Sequence, residues 1–225
     1  MATPSLPPIT SLPTADEETI KSALDTLFEP SPEIHAIAVP VIQQRRRIPA
    51  NPGISADLPT PSLSTISKSK PTATVPDDLP FTSYASLIQH IGTLLHQRTI
   101  SSSSPSSSSS SSAREKLHKI LGSHPRLGAK KVDSAQSRAE QAQLNTNTGP
   151  GATDEAERLA ALNREYEERF LGLRYVVFVN GRSRDVVMED MRRRIDRGDI
   201  RAEEREGIQA MVDIAMDRAG KLAST

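Results

Sequence analysis

Between residues 45 and 80, and again between 101 and 112, this sequence all but stops supplying periodic apolar residues. The first stretch is rich in Pro, Ser and Thr; the second is a serine run broken only by Pro105. Segments of this kind bury too little apolar surface to offset the entropy lost on ordering. Both therefore read as disordered inserts, the second flexible and open to phosphorylation. With 17 prolines and 36% hydrophobic residues in a chain of 225, one domain of about 150 foldable residues remains. The expected layout is a disordered terminus over residues 1–11 and a single domain over 12–222, interrupted by the two inserts.

The charge is balanced, with Lys+Arg and Asp+Glu at 28 each and a formal net charge of zero. No overall basic field exists to draw the chain onto nucleic acid or an anionic membrane, so a small molecule or another protein is the expected partner. The absence of Cys excludes disulfides, thiol catalysis and Cys-ligated zinc. The first residues lack a basic start and an apolar run, and no stretch reaches membrane-spanning length. Leu222, Ala223, Ser224 and Thr225 are not a Ser-Lys-Leu type of peroxisomal address. A cytoplasmic protein is the expectation, with the peroxisome as the other compartment.

Helical spacing organises the rest. Thr14, Ala15, Asp16 and Glu17 form a capping-box pattern ahead of Ile20, Ala23, Leu24 and Leu27. Ser31 and Pro32 open a short apolar helix that Pro40 should limit. From Ser83 on, Leu87, Ile88, Ile91, Leu94 and Leu95 share a face. A helix from Ala113 to Leu121 turns Leu117, Ile120 and Leu121 inward, and Gly122 stands where a left-handed C-cap is expected. Residues 135–144 can be helical, Thr153 caps a long helix carrying Leu159, Leu162, Tyr166 and Phe170, and Ser183 caps another carrying Val187, Met191 and Ile195. A last helix turns Ile208, Met211, Val212, Ala215, Ala219 and Leu222 inward. The run Tyr175, Val176, Val177, Phe178 and Val179 before Asn180 and Gly181 reads locally as a strand entering a hairpin turn, but no partner strand follows. The fold class expected is all-α, a helical bundle with one extended core segment.

Chemistry has few places to sit. Of five histidines, His90 and His96 fall on opposite faces of one helix, which argues against a metal site. His35 and His118 read as ordinary partly buried or surface residues. His124 lies just past a helix end, before a stiffening proline and two residues from Arg126. Spacing alone makes it a histidine capping a helix.

Its company carries a resemblance. Ser123-His124-Pro125-Arg126-Leu127-Gly128, then Ser137-Arg138-Ala139-Glu140-Gln141, then Phe170-Leu171-Gly172-Leu173-Arg174-Tyr175-Val176-Val177 follow one another in this chain. They resemble, in order and approximate spacing, three signatures of the 2-oxo-4-hydroxy-4-carboxy-5-ureidoimidazoline (OHCU) decarboxylase family. Leu27-Phe28-Glu29-Pro30-Ser31-Pro32 is similar to that family's N-terminal Phe-Glu-x-Ser-Pro element, so the resemblance runs from about Leu12 to Leu222 apart from the inserts. It implies an all-helical, usually dimeric enzyme without metal or organic cofactor that converts OHCU to (S)-allantoin, with loss of carbon dioxide, in uric acid degradation. It places the acid/base histidine at His124 with Pro125 beside it. It puts substrate-binding residues at Ser137, Arg138, Ala139, Glu140 and Gln141, and a main-chain pocket wall at Tyr175, Val176, Val177, Phe178 and Val179. Through Ile214-Ala215-Met216-Asp217-Arg218 it adds a substrate-facing arginine at Arg218.

These residue types suit a decarboxylation. The departing carboxylate leaves an electron pair on a ring carbon, so the reaction needs oriented donors and a proton source on one face. His124 can donate that proton, Glu140 and Gln141 can pair with ureido and ring groups, and Arg218 offers a fork for a carboxylate or carbonyl. Arg126, Arg138 and Arg182 would add positive charge suited to an anionic substrate. Where the family has Asp and a Leu-Ala-Gly turn after His-Pro, this chain reads Arg126-Leu127-Gly128-Ala129-Lys130-Lys131 with a shorter link to Ser137, so the loop over the pocket should differ. Singly, each piece has an ordinary reading: Glu140 and Gln141 as a solvated helix face, Arg218 as a surface partner of Glu203 or Asp217, residues 175–179 as plain core. The rival function is a catalytically inactive helical interaction module of the same fold, binding partners through its inserts. Convergence of His124, Glu140 and Arg218 on one pocket separates the two.

Overall fold

The computed structural model describes residues 5–44, 81–101, 108–129, 135–144 and 152–223. The insert expected over 45–80 and residues 102–107 of the serine run lie outside the described residues. Among the described residues the chain is all-α without a strand, as its patterning predicts. A 3-10 turn over Ile9–Thr14 leads into α1 (Glu17–Phe28), α2 (Pro32–Gln44), α3 (Tyr84–Ser101), α4 (Ser108–Gly122), α5 (Ala135–Leu144), α6 (Ala152–Arg169), α7 (Arg184–Arg197) and α8 (Ile200–Ala223).

The long α8 is the organising element, packed against α3, α1 and α4, while α2 rests on α1 and α4 and α6 pairs with α7. The stripes read from the sequence are the ones that meet. Ile20, Leu24, Leu27 and Phe28 of α1, Leu87, Ile88, Ile91 and Leu95 of α3, and Ile208, Met211 and Ala215 of α8 are all buried in one core. Tyr166, Phe170 and Tyr175 stack at its far side, with ring centroids 4.9 and 5.5 Å apart.

Several local expectations differ from the structure. Residues 5–11, part of the expected disordered terminus, are tied to the core: Leu6 and Ile9 pack on it, Leu12 is buried, and the Tyr84 hydroxyl donates to the Pro7 carbonyl at 2.6 Å, while residues 1–4 lie outside the described residues. The cap of α1 is Asp16, which accepts from the Thr19 amide at 2.8 Å, while Thr14 closes the preceding turn instead. Pro40 does not limit α2, because the carbonyl it deprives of a partner, that of Ala36, lies with Pro40 on the exposed side, and continuing the helix buries Ile42. Helix α4 begins at Ser108, five residues before the expected Ala113. Once Leu117, Ile120 and Leu121 are packed, extending a formed helix back through serines costs only their modest propensity deficit. Gly122 is the last residue of α4 and not a left-handed cap. Its missing side chain instead admits the Gly172 carbonyl, which a Cβ would meet at 3.2 Å. The segment at 175–179 is extended, and Asn180 and Gly181, both at positive φ, turn it so that the Arg182 amide reaches the Val179 carbonyl at 2.9 Å. The turn chemistry is as read, but helix α7 takes the place of a second strand.

Candidate active site

Three separate pieces of chain meet where α1 ends, α4 ends and α8 nears its C-terminus. Ser123 terminates α4 by turning its hydroxyl onto the Ile120 carbonyl at 2.7 Å, which delivers His124 into the interior. The imidazole is 5% exposed and its Nε2 is buried without a hydrogen-bond partner among the described residues. Arg174 donates to the His124 carbonyl at 2.9 Å and so fixes the main chain from the other side. Burial pushes the imidazole down to about 4, with Arg218 and Arg174 pushing the same way and the Glu29 carboxylate opposing them. At neutral pH the ring is uncharged.

Arg218, 3% exposed, is the hub opposite. Its Nε and Nη2 donate in fork fashion to Glu140 at 2.7 and 2.9 Å, Nη2 also reaches Glu29 at 2.7 Å and the Ser137 hydroxyl at 3.1 Å, and Nη1 points at the Thr26 and Leu27 carbonyls at 3.4 and 3.3 Å. The Ser137 hydroxyl in turn donates to Glu29 at 2.6 Å. Neither ordinary reading of Arg218 holds: Asp217 pairs with Lys221, Glu203 pairs with Arg194 and Arg197, and Arg218 is an interior cation held by two carboxylates. Every N–H of its guanidinium already faces an acceptor, so a ligand meets Arg218 through Glu140 or by displacing it.

The loop after His124 is clasped from two helices. Gln141 of α5 accepts from the Gly128 amide at 3.0 Å and donates to the Arg126 carbonyl at 3.2 Å, and Asn163 of α6 donates to the Leu127 carbonyl at 3.0 Å. Gly128 has φ of 77° and sits so close to α6 that a Cβ would lie 2.8 Å from Leu159. Gln141 therefore spends both ends of its amide on the loop. Arg138 and Ala139 are exposed on the outer side of α5, while Ser137 and Glu140 turn toward Arg218. Pro125 is partly exposed beside His124.

The extended segment is held by cations in place of a partner strand. Arg194, 3% exposed, donates to the Val176 carbonyl at 3.2 Å and lies over the Tyr175 ring. Arg182 covers the Phe178 and Val179 carbonyls. Among the described residues the main-chain N–H groups of Tyr175, Val176, Val177, Phe178 and Val179 donate to no protein acceptor, which suits the expected wall. The side chains behave differently. The Tyr175 hydroxyl donates to Asp190 at 2.6 Å, Val176 is buried, and Val177 and Phe178 line a cavity of about 370 Å³ with Arg194, Gln209 and Ala210. His124 is not among that cavity's lining residues.

The expected basic field is also redistributed. Arg126 pairs with Glu167, Arg182 is engaged with main-chain carbonyls, and Arg138 is exposed; the cations close to His124 are Arg174 and Arg218. Glu29 is the functional candidate that sequence reasoning passed over. Its signal lay inside the segment that resembles the Phe-Glu-x-Ser-Pro element. Among the described residues no group of three or more His, Asp or Glu side chains is placed to hold a metal, and no helix is long and apolar enough to cross a membrane.

A family model described as OHCU decarboxylase matches residues 62–220, well over half of the chain. No curated protein and no solved structure gives a significant match.

Proposed function

This chain belongs to the OHCU decarboxylase family, and from that premise we propose that it decarboxylates OHCU to (S)-allantoin in the purine degradation that the family serves. The observation carrying the proposal is the buried, neutral His124 with an unpartnered Nε2 beside the Ser137, Glu140 and Arg218 cluster. The interaction-module reading does not require Glu29 and Arg218 to act on a buried His124 as they do here, although the cavities at residues 126–129, between α6 and α7, and beside Val177 and Phe178 are not lined by His124, Glu140 or Arg218.

A neutral imidazole suits the proton bookkeeping of this substrate. Loss of carbon dioxide sends the electron pair of the breaking C–C bond toward the ring C=N next to it, whose nitrogen takes up one proton. The hydroxyl carbon and its neighbour are left as an enol. The enol becomes the ring lactam carbonyl of allantoin when its O–H proton passes to the neighbouring carbon, and one imidazole held on one face can take the proton from oxygen and return it to carbon. His124 is proposed for that transfer, which sets the configuration. Glu140, oriented by Arg218, would accept from the ureido or ring N–H groups, and the main-chain N–H groups of residues 175–179 would meet the substrate's carbonyl oxygens. Gln141 supports the loop that carries His124, and Pro125 stiffens it.

Freshly generated OHCU supplied to the protein should give optically active allantoin faster than the spontaneous reaction, and His124→Asn should abolish that excess. A rate no higher than the spontaneous one would remove the enzymatic reading in favour of the module.

A further inference from the structure

Glu29 stands where a carboxylate is costly twice over. It follows α1 with φ of 70° and ψ of 152°, a region that side-chain-bearing residues rarely occupy, and it is only 3% exposed. Nothing in the link between α1 and α2 demands an acid there. A glycine would make the same turn without strain, and Ser31 already serves α2 by receiving the Ile34 amide at 3.4 Å. The carboxylate instead serves the site through Oε1, which accepts from the Ser137 hydroxyl at 2.6 Å and from Arg218 Nη2 at 2.7 Å. Glu29 also lies outside the part of the chain that the family model reaches, residues 62–220.

We propose that Glu29 is a positioning residue of the decarboxylase site. It locks Arg218 and Ser137 so that Glu140 presents one fixed geometry, and it supplies the negative charge against which His124 holds a proton during transfer. The inference rests on the functional reading above. The charged groups facing His124 are Glu29, Arg218 and Arg174, with Glu140 acting through Arg218. Two of the three are cations and oppose an imidazolium. Glu29 is the one that favours it, and it arrives by way of an α1 terminus that pays for this placement in backbone geometry.

Two readouts test the proposal. In turnover of OHCU, Glu29→Gln, which keeps shape and removes charge, should lower kcat by roughly a hundredfold with KM changed far less, since general acid–base steps are worth that much. Glu29→Asp should recover part of the loss. A Glu29→Gln enzyme with wild-type kcat would overturn the proposal and leave the decarboxylase assignment standing. The second readout needs no turnover: the His124 ring, followed by NMR against pH, should titrate near 4 in the wild type and lower in Glu29→Gln. An unchanged midpoint overturns the proposal whether or not the wild type acts on OHCU. If the wild type is inactive but the midpoint moves, the functional reading has failed and the coupling of Glu29 to His124 has not.

Discussion

His124 gives up its charge when the chain folds, and that ties stability to pH. Its folded-state value of about 4 lies below the ordinary 6.5, so between those limits the unfolded chain binds a proton that the folded one refuses. Stability is then whole above about 6.5 and falls as the pH drops toward 4, by about 3 kcal/mol for this one group. His124→Asn removes the titration, so its urea-unfolding free energy should fall less steeply over that window than the wild type's; parallel curves would mean that the ring is not held neutral. Glu29 makes a related point about backbone. A residue at its dihedral angles stores about 1–3 kcal/mol of strain, of which glycine's extra chain entropy returns about 0.5–1 kcal/mol. Glu29→Gly, though inactive, should therefore unfold at a urea concentration at or above that of Glu29→Gln.

The site's elements were legible in unequal degree, for physical reasons. Helices with strong stripes, such as the one bearing Leu87, Ile88, Ile91 and Leu95, were placed from the sequence because burial of that face decides their existence. Their ends were not, since Asp16 and Thr14 compete for one cap and Pro40 is harmless only where its orphaned carbonyl meets water, which is a tertiary fact. Among the candidate site residues, the resemblance singled out His124 and Arg218, which are buried near each other, did not single out Glu29, and assigned Gln141 to substrate, whereas its amide bonds the loop. A linear pattern cannot say whether an amide faces a ligand or the loop thirteen residues back, as Gln141 does. Because that clasp is shared between Gly128 and Arg126, Gln141→Leu leaves both main-chain groups unpaired and should cost about 1–3 kcal/mol in urea unfolding. It should also reduce kcat/KM, because the loop is the carrier of His124. A loss of stability with kcat/KM intact would show that the loop keeps its place without the clasp.

At the scale of the molecule, an all-helical chain that includes one extended segment must satisfy that segment's carbonyls without a sheet. The solution is a buried ionic cluster. Arg194 bonds Val176, is met by Glu203 at 2.7 Å, and Glu203 also receives the Tyr166 hydroxyl at 2.6 Å and Arg197 at 2.5 Å, so α6, α7 and α8 are joined at the segment's back. Such a pair is weak evidence of net stabilisation, because both charges are taken out of water, but removing one partner alone strands the other. Arg194→Met should therefore cost about 3–5 kcal/mol, whereas Arg192→Met in the same helix α7, which breaks a solvent-exposed pair with Glu165 of α6, should leave the urea midpoint close to wild type. Adding Glu203→Leu to Arg194→Met should return part of the lost stability, since no uncompensated carboxylate then remains. It should not return the Val176 contact. If the main-chain N–H groups of residues 175–179 receive substrate, the doubly substituted protein will be folded yet show a raised KM for OHCU. Recovery of both stability and KM would mean that the segment holds its shape without Arg194 and that its carbonyls, like its side chains, serve only the core.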